Sequence, residues 1–168
     1  MDINAAMNEM IATIEAMDPE ILAGGIVFLA VAFAAILILT VVRYLLTAIG
    51  HSKMYRKAGV AGWKAFIPVY NTFTNYKISW NGKMFALSAA LYILLNAFAN
   101  SAMVALQLVS AAAGIALIVV MVKQNVKMAK LFGKGTGTGI ALMFFPGITS
   151  LILGLGKTEF QGAMIEND

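Results

Sequence analysis

From Ile21 to Ile49 the chain carries a single charged side chain, Arg43, and this run limits what it can fold into more than any other feature. As a helix it would be about 43 Å long, against ~30 Å for the hydrocarbon core of a bilayer. The run predicts a transmembrane helix that tilts or projects, with Arg43 and Tyr44 near its cytoplasmic end. A cleaved signal peptide fits poorly, because the preceding region is acidic, the apolar run is too long and no small-residue cleavage pattern follows it. The rest of the chain agrees. Of its 168 residues 61% are hydrophobic and 12% charged, with a mean hydropathy of +0.84, whereas soluble domains run near ~45–50% and ~25%. There is no cysteine, which excludes a disulfide framework, a thiolate metal site and a cysteine nucleophile.

The charges are segregated. All eight carboxylates lie at the two ends: Asp2, Glu9, Glu15, Asp18 and Glu20, then Glu159, Glu166 and Asp168. Eleven of the twelve Lys and Arg residues lie between Glu20 and Lys157, an interval with no acid. Lys and Arg in short loops prefer the cytoplasmic side of a membrane. Besides Ile21–Ile49, apolar runs cover Met84–Ala99, Ala102–Val122 and Ile140–Leu155. Four spans with both termini outside place the two basic loops inside and every carboxylate outside; only Lys157 breaks the pattern. The fold class expected is therefore all-α, a polytopic membrane protein of about four transmembrane helices. It divides into an extracytoplasmic amphipathic helix over 1–19, a membrane domain over 20–158 and a short acidic tail over 159–168.

Residues 3–17 read as the amphipathic helix, with Ile3, Met7, Met10, Ile11, Ile14 and Met17 in one stripe. Asp18-Pro19-Glu20 then restarts the chain, Asp as N-cap and Pro at the first helical position. After the first span, His51, Lys53, Arg56, Lys57 and Lys64 form a basic connector. Pro68 starts a further helix, in which Val69, Phe73, Tyr76 and Trp80 share a face. Aromatic residues beside Lys64, Lys77 and Lys83 suit a membrane–water interface, so 65–80 is expected to be interfacial or shallowly re-entrant. Asn96–Ser101 breaks the next apolar stretch into a helical hairpin. Gly133-Lys134-Gly135-Thr136-Gly137-Thr138-Gly139 reads as a flexible hinge, and Pro146-Gly147 kinks the last span.

The residues that might carry chemistry are better explained structurally. The Gly-rich loop is no phosphate loop: at Gly156-Lys157-Thr158 a Walker pattern needs an earlier glycine where Leu151 stands, and no strand precedes 133–139. His51 is the lone histidine, beside bases and far from the acids, and reads as a solvated interfacial residue. Ser52–Lys53 lies in a basic loop without an evident cavity. The spans hold no carboxylate for ion coupling, only Thr40, Ser88, Asn96, Gln107 and Ser110, which suit interhelical hydrogen bonds. Small residues at Gly24-Gly25 and over Ser110–Gly114 allow close helix packing. The cations Lys53, Arg56, Lys57, Lys64, Lys123, Lys127 and Lys130 are placed to meet lipid headgroups, each contributing about 1 kcal/mol near an anionic surface. Topology accounts for the basic residues, so nucleic acid is not an expected partner. No cofactor or metal is expected.

Two stretches carry a family resemblance. Lys57-Ala58-Gly59, Gly62-Trp63 and Ile67-Pro68-Val69-Tyr70-Asn71 resemble the signature of an uncharacterised bacterial membrane-domain family. Phe132-Gly133-Lys134-Gly135-Thr136-Gly137, Phe145-Pro146 and Leu153-Gly154-Leu155-Gly156 resemble its second half. The same domain is similar to the membrane-embedded N-terminal part of some signal peptidases I. The resemblance covers roughly residues 40–158. It implies a domain of a bacterial cytoplasmic membrane and carries over no catalytic residue. Structural roles are expected for Gly59, Gly62, Trp63, Pro68, Tyr70, Asn71, Gly133, Gly135, Gly137 and Pro146. The function expected is a non-enzymatic membrane module, packing with copies of itself or with another membrane protein. An oligomeric channel or transporter, with a polar seam at Asn96, Asn100, Gln107 and Ser110, and an accessory factor for protein export or processing are the alternatives.

Overall fold

The computed structural model describes residues 3–16 and 18–163. Met17 and the tail beyond residue 163, both used in the expectations above, lie outside the described residues. Every element among those described is helical, and two helices are long and apolar enough to cross a membrane: Pro19–Lys57 and Val104–Leu131. The chain divides into two compact units, Met1–Val42 and Arg43–Asp168.

The first unit holds α1 (Ile3–Glu15) and the first part of α2 (Pro19–Lys57). Asp18 caps α2 as its sequence predicts: Asp18 Oδ1 accepts the Glu20 N–H at 2.9 Å, and Pro19 opens the helix where no donor is needed. The α1 residues Ile3, Met7, Met10 and Ile11 are exposed. So are the apolar residues of α2 on every side, among them Phe28, Val31, Phe33, Ile36 and Leu39. A helix apolar all round is one whose surroundings are apolar too.

The second unit is a bundle. The last turns of α2 lead through a 3-10 turn (Gly62–Phe66) into α3 (Pro68–Ser79), α4 (Gly82–Phe98), α5 (Val104–Leu131), α6 (Thr136–Phe144) and α7 (Pro146–Leu155). The expected interfacial segment 65–80 is thus a turn plus one helix, with Pro68 at its first position after an extended Ile67. The expected hairpin is α4–α5. Asn81 Oδ1 caps α4 through the Met84 N–H at 3.0 Å, and Ser110 donates across the pair to the Leu95 carbonyl at 2.7 Å.

The core lies at the basic end. Met54 and Tyr55 of α2, with Ala58 just after it, pack with Ala65 of the 3-10 turn, Ile78 of α3, Met128 and Ala129 of α5, Phe132 at the end of α5, Leu142 of α6 and Leu153 of α7.

Two expectations change here. The span expected over Ile140–Leu155 with a kink at Pro146-Gly147 is broken there into two helices, α6 with 9 residues and α7 with 10, reaching only about 14 and 15 Å. The chain breaks at Phe145–Pro146, because proline lacks the donor that would continue α6. The hinge expected over 133–139 is also shorter, since α6 begins at Thr136 and takes in Gly137 and Gly139.

Candidate functional site: the glycine-rich junction at the basic end

Two glycines end the two long helices in the same way. After α2 the Gly59 N–H reaches the Arg56 carbonyl at 3.2 Å and the Val60 N–H reaches Tyr55 at 2.8 Å. After α5 the Gly133 N–H reaches Lys130 at 2.9 Å and the Lys134 N–H reaches Ala129 at 2.9 Å. Both are Schellman closures, and both glycines have the left-handed backbone this requires, φ 78° and 67°. Any other residue would be strained there.

The helices then approach closely. A Cβ on Gly50 would lie 2.6 Å from the Ser150 carbonyl carbon, and one on Gly154 would lie 2.6 Å from the Gly50 oxygen. Gly147 sits against Leu46 and Thr47. Thus α7 runs alongside the end of α2 in the same direction. On the other side a Cβ on Gly139 would lie 2.5 Å from the Val126 Cα, so α6 folds back along α5. Gly62 is buried, with Ser52 and Arg56 where its Cβ would be. By contrast, Gly135 and Gly137 meet nothing within 4 Å, and no contact explains them.

Polar bonds fix the junction. Lys57 is expected among the headgroup-facing cations. Instead its ammonium donates to the carbonyls of Leu153, Gly156 and Thr158 at 2.8, 2.7 and 2.8 Å. All three of its donors are spent, and the cation sits at the carbonyl end of α7, where the helix dipole favours it. The Gln161 N–H donates to the Leu131 carbonyl at 2.7 Å, and Phe160 packs edge-on against Phe132 at 5.5 Å. The segment leaving α7 therefore lies beside the segment leaving α5.

The first motif forms an aromatic patch. Trp63 stacks on Tyr70 at 5.7 Å, Tyr70 meets Phe73 at 6.1 Å, and the Lys64 ammonium stands 5.5 Å from the Tyr70 ring centre. The buried Tyr55 hydroxyl donates to the Asn71 carbonyl at 2.9 Å and also reaches its Oδ1, while Tyr44 bonds the Phe66 carbonyl. His51, expected to be solvated, is half-buried: its ring stacks on Tyr55 at 5.8 Å and its Nδ1 is buried without a hydrogen-bond partner. The stacking face of Tyr55 draws it in.

Lys53, Arg56, Lys123 and Lys130 are exposed, and Lys127 is partly covered, its ammonium 3.8 Å from the Trp80 ring centre. Pro146 opens α7. The polar residues Asn96 and Gln107 bond the Tyr92 and Ser101 carbonyls within their own hairpin. Among the described residues no group of three or more His, Asp or Glu could hold a metal ion.

Sequence reasoning misses Gly50, Gly139, Ser150 and Gly154 as contact residues. A signal was present: Gly147, Ser150 and Gly154 fall on one face of α7, the small-residue spacing of close helix pairs.

A family model described as a family of unknown function (DUF5684) matches residues 63–163. The match begins at Trp63, so it takes in the junction from the 3-10 turn to Gly162 but not the Lys57–Gly62 half of the first motif. The likeness to signal peptidases forms no part of it. No curated protein and no solved structure matches the chain.

Proposed function

We propose, from the premise that the chain belongs to the DUF5684 family of unknown function, that it is a non-catalytic membrane module which works by packing its helices against copies of itself or a membrane partner. The observation that carries this reading is the first part of α2. Its apolar residues are exposed on every side, and a Cβ at Gly24 or Gly25 would meet no described atom within 4 Å. Such a surface belongs in lipid or against other helices.

In the proposed topology α2, α4 and α5 cross a bacterial cytoplasmic membrane with the N-terminus outside. The α6–α7 pair enters from the cytoplasmic side and returns to it. Non-helical backbone at the Phe145–Pro146 break is tolerable at membrane depth where protein surrounds it, and Gly147 is buried against α2. The bonds from Gln161 to Leu131 and from Lys57 to Thr158 support this over a fourth span. The charges support it as well. Three crossings put all twelve Lys and Arg residues inside, Lys157 included. Glu159, Glu166 and Asp168 then also fall inside, which costs little because acids weigh weakly in orientation. Lys53, Arg56, Lys64, Lys123, Lys127 and Lys130 face the inner headgroups.

The test is extraction followed by sizing. The full chain is expected to stay with membranes through alkaline carbonate, and in a mild detergent to run as an oligomer or with a co-purifying membrane protein. Deletion of residues 2–17, which removes the exposed Ile3, Met7, Met10 and Ile11, is expected to reduce that size. A lone monomer, unchanged by the deletion, would count against the packing role.

A further inference from the structure

Between α3, α4 and α5 lies a cleft of about 430 Å³, within the ~300–1,000 Å³ range of ligand pockets. Thr72, Asn75, Ser88 and Gln124 line it, and the hydroxyl or amide N–H donors of all four are engaged within the protein, while Asn75 Oδ1 is buried without a partner. The Thr72 hydroxyl donates to the Pro68 carbonyl at 3.1 Å and the Ser88 hydroxyl to the Phe85 carbonyl at 2.7 Å. Asn75 Nδ2 donates to Asn71 Oδ1 at 3.2 Å, and Gln124 Nε2 to Ser79 Oγ at 3.3 Å. The rest of the lining is mostly hydrocarbon, including Leu117 and the ring of Tyr92, which is itself well exposed at the edge. An apolar cavity holds water poorly.

The end of the cleft is different. Ser79 and Gln124 close it, and just beyond them the Lys127 ammonium lies over the Trp80 ring at 3.8 Å. Lys83 and Lys123 are exposed, Lys83 three residues after Trp80 near the start of α4 and Lys123 about one helical turn before Lys127 on α5. The only acid between residues 21 and 163 is Glu159. In the placement proposed above, a second copy of this chain would bring only Glu159, Glu166 and Asp168 to this side of the membrane. An apolar slot closed by cations fits a molecule with a hydrocarbon tail and an anionic head.

We propose that the α3–α4–α5 cleft seats one acyl chain of an anionic phospholipid, whose phosphate lies against Lys83, Lys123 and Lys127. The site rests on the membrane placement proposed above. It is a discrete seat, distinct from the general attraction of a basic surface to a leaflet.

The experiment uses the full chain, delipidated in a mild detergent, with phosphatidylglycerol or phosphatidylcholine of identical acyl chains added back. Native mass spectrometry reads the lipid retained, and thermal unfolding reads the stabilisation. Phosphatidylglycerol is expected to be held about tenfold more tightly, from the added attraction of the cations. Ala89→Phe, and independently Leu117→Trp, fill the cleft and are expected to abolish retention while elution volume stays as in the wild type. Lys83→Gln with Lys123→Gln is expected to remove the preference for phosphatidylglycerol and leave the phosphatidylcholine level unchanged. Equal retention of the two lipids by the wild type, or wild-type retention by either cleft-filling variant, would overturn the proposal. So would equal stabilisation by inorganic phosphate. Release of the chain from membranes by carbonate would instead be a failure of the membrane reading, and is scored before any lipid is added.

Discussion

Residues 19–42 and residues 43–57 belong to one continuous helix, yet they are built on opposite principles. The first stretch is almost wholly apolar and stays exposed; its one hydroxyl, on Thr40, bonds its own Ile36 carbonyl. The second carries five cationic or imidazole side chains, and it is there that α2 is buried, at Ala48, Gly50, Ser52, Met54 and Tyr55. In water this would be inverted, because apolar surface would be driven inward. In the membrane placement proposed above, lipid is the solvent of residues 19–42 and that drive is absent. Close packing then depends on small residues, hydrogen bonds and shape, and these concentrate at the basic end.

The contrast can be broken or sharpened by substitution, and the largest effect is expected in the exposed stretch. Val31→Asp places a carboxylate mid-helix, where insertion costs about 2.5–3.5 kcal/mol, and the fraction recovered in membranes is expected to fall sharply. Full recovery would mean that this stretch does not face lipid. Gly139→Ala forces a Cβ onto the α5 backbone and is expected to destabilise the chain by about 1–3 kcal/mol in detergent unfolding. Lys57→Met removes the donor to the Gly156 and Thr158 carbonyls, while the Leu153 carbonyl keeps the Thr158 hydroxyl, and is expected to cost about 2 kcal/mol by the same assay. Tyr55→Phe removes the hydroxyl that holds Asn71, at about 1 kcal/mol. Smallest is Val31→Ala, which trims an exposed side chain and is expected to stay within ~0.5 kcal/mol. If that trim costs as much as Gly139→Ala, the two parts of α2 are not different in kind.

What the sequence made legible is local. Asp18-Pro19 starts a helix because side-chain capping and proline geometry are properties of adjacent residues, and the structure bears this out. The break between α4 and α5 was readable for the same reason. Helix closure at Gly59 and Gly133 follows from backbone freedom that only glycine has, although the motif resemblance singled out both residues before their role was plain. The end of the chain was not legible. An apolar run of sixteen residues has nearly the length of a short span, and hydrophobicity does not record where its two ends meet. That is decided by Gln161 on Leu131 and by Lys57 on Thr158, contacts between residues far apart in the chain. His51 escaped for a different reason: Tyr55 is one helical turn on along α2, a spacing that allows the stacking, but the nearby bases point to solvent instead.

The central claim is that α6 and α7 form a hairpin returning to the basic side. Because the chain has no cysteine, single cysteines can report on it without background. Ser101→Cys, Lys134→Cys and Ala163→Cys are each labelled with a membrane-impermeant maleimide in intact and in permeabilised cells. Ser101→Cys is expected to react in intact cells, and Lys134→Cys and Ala163→Cys only after permeabilisation. Labelling of Ala163→Cys in intact cells, with Lys134→Cys still protected, would mean that residues 136–155 cross the membrane, and would contradict the account.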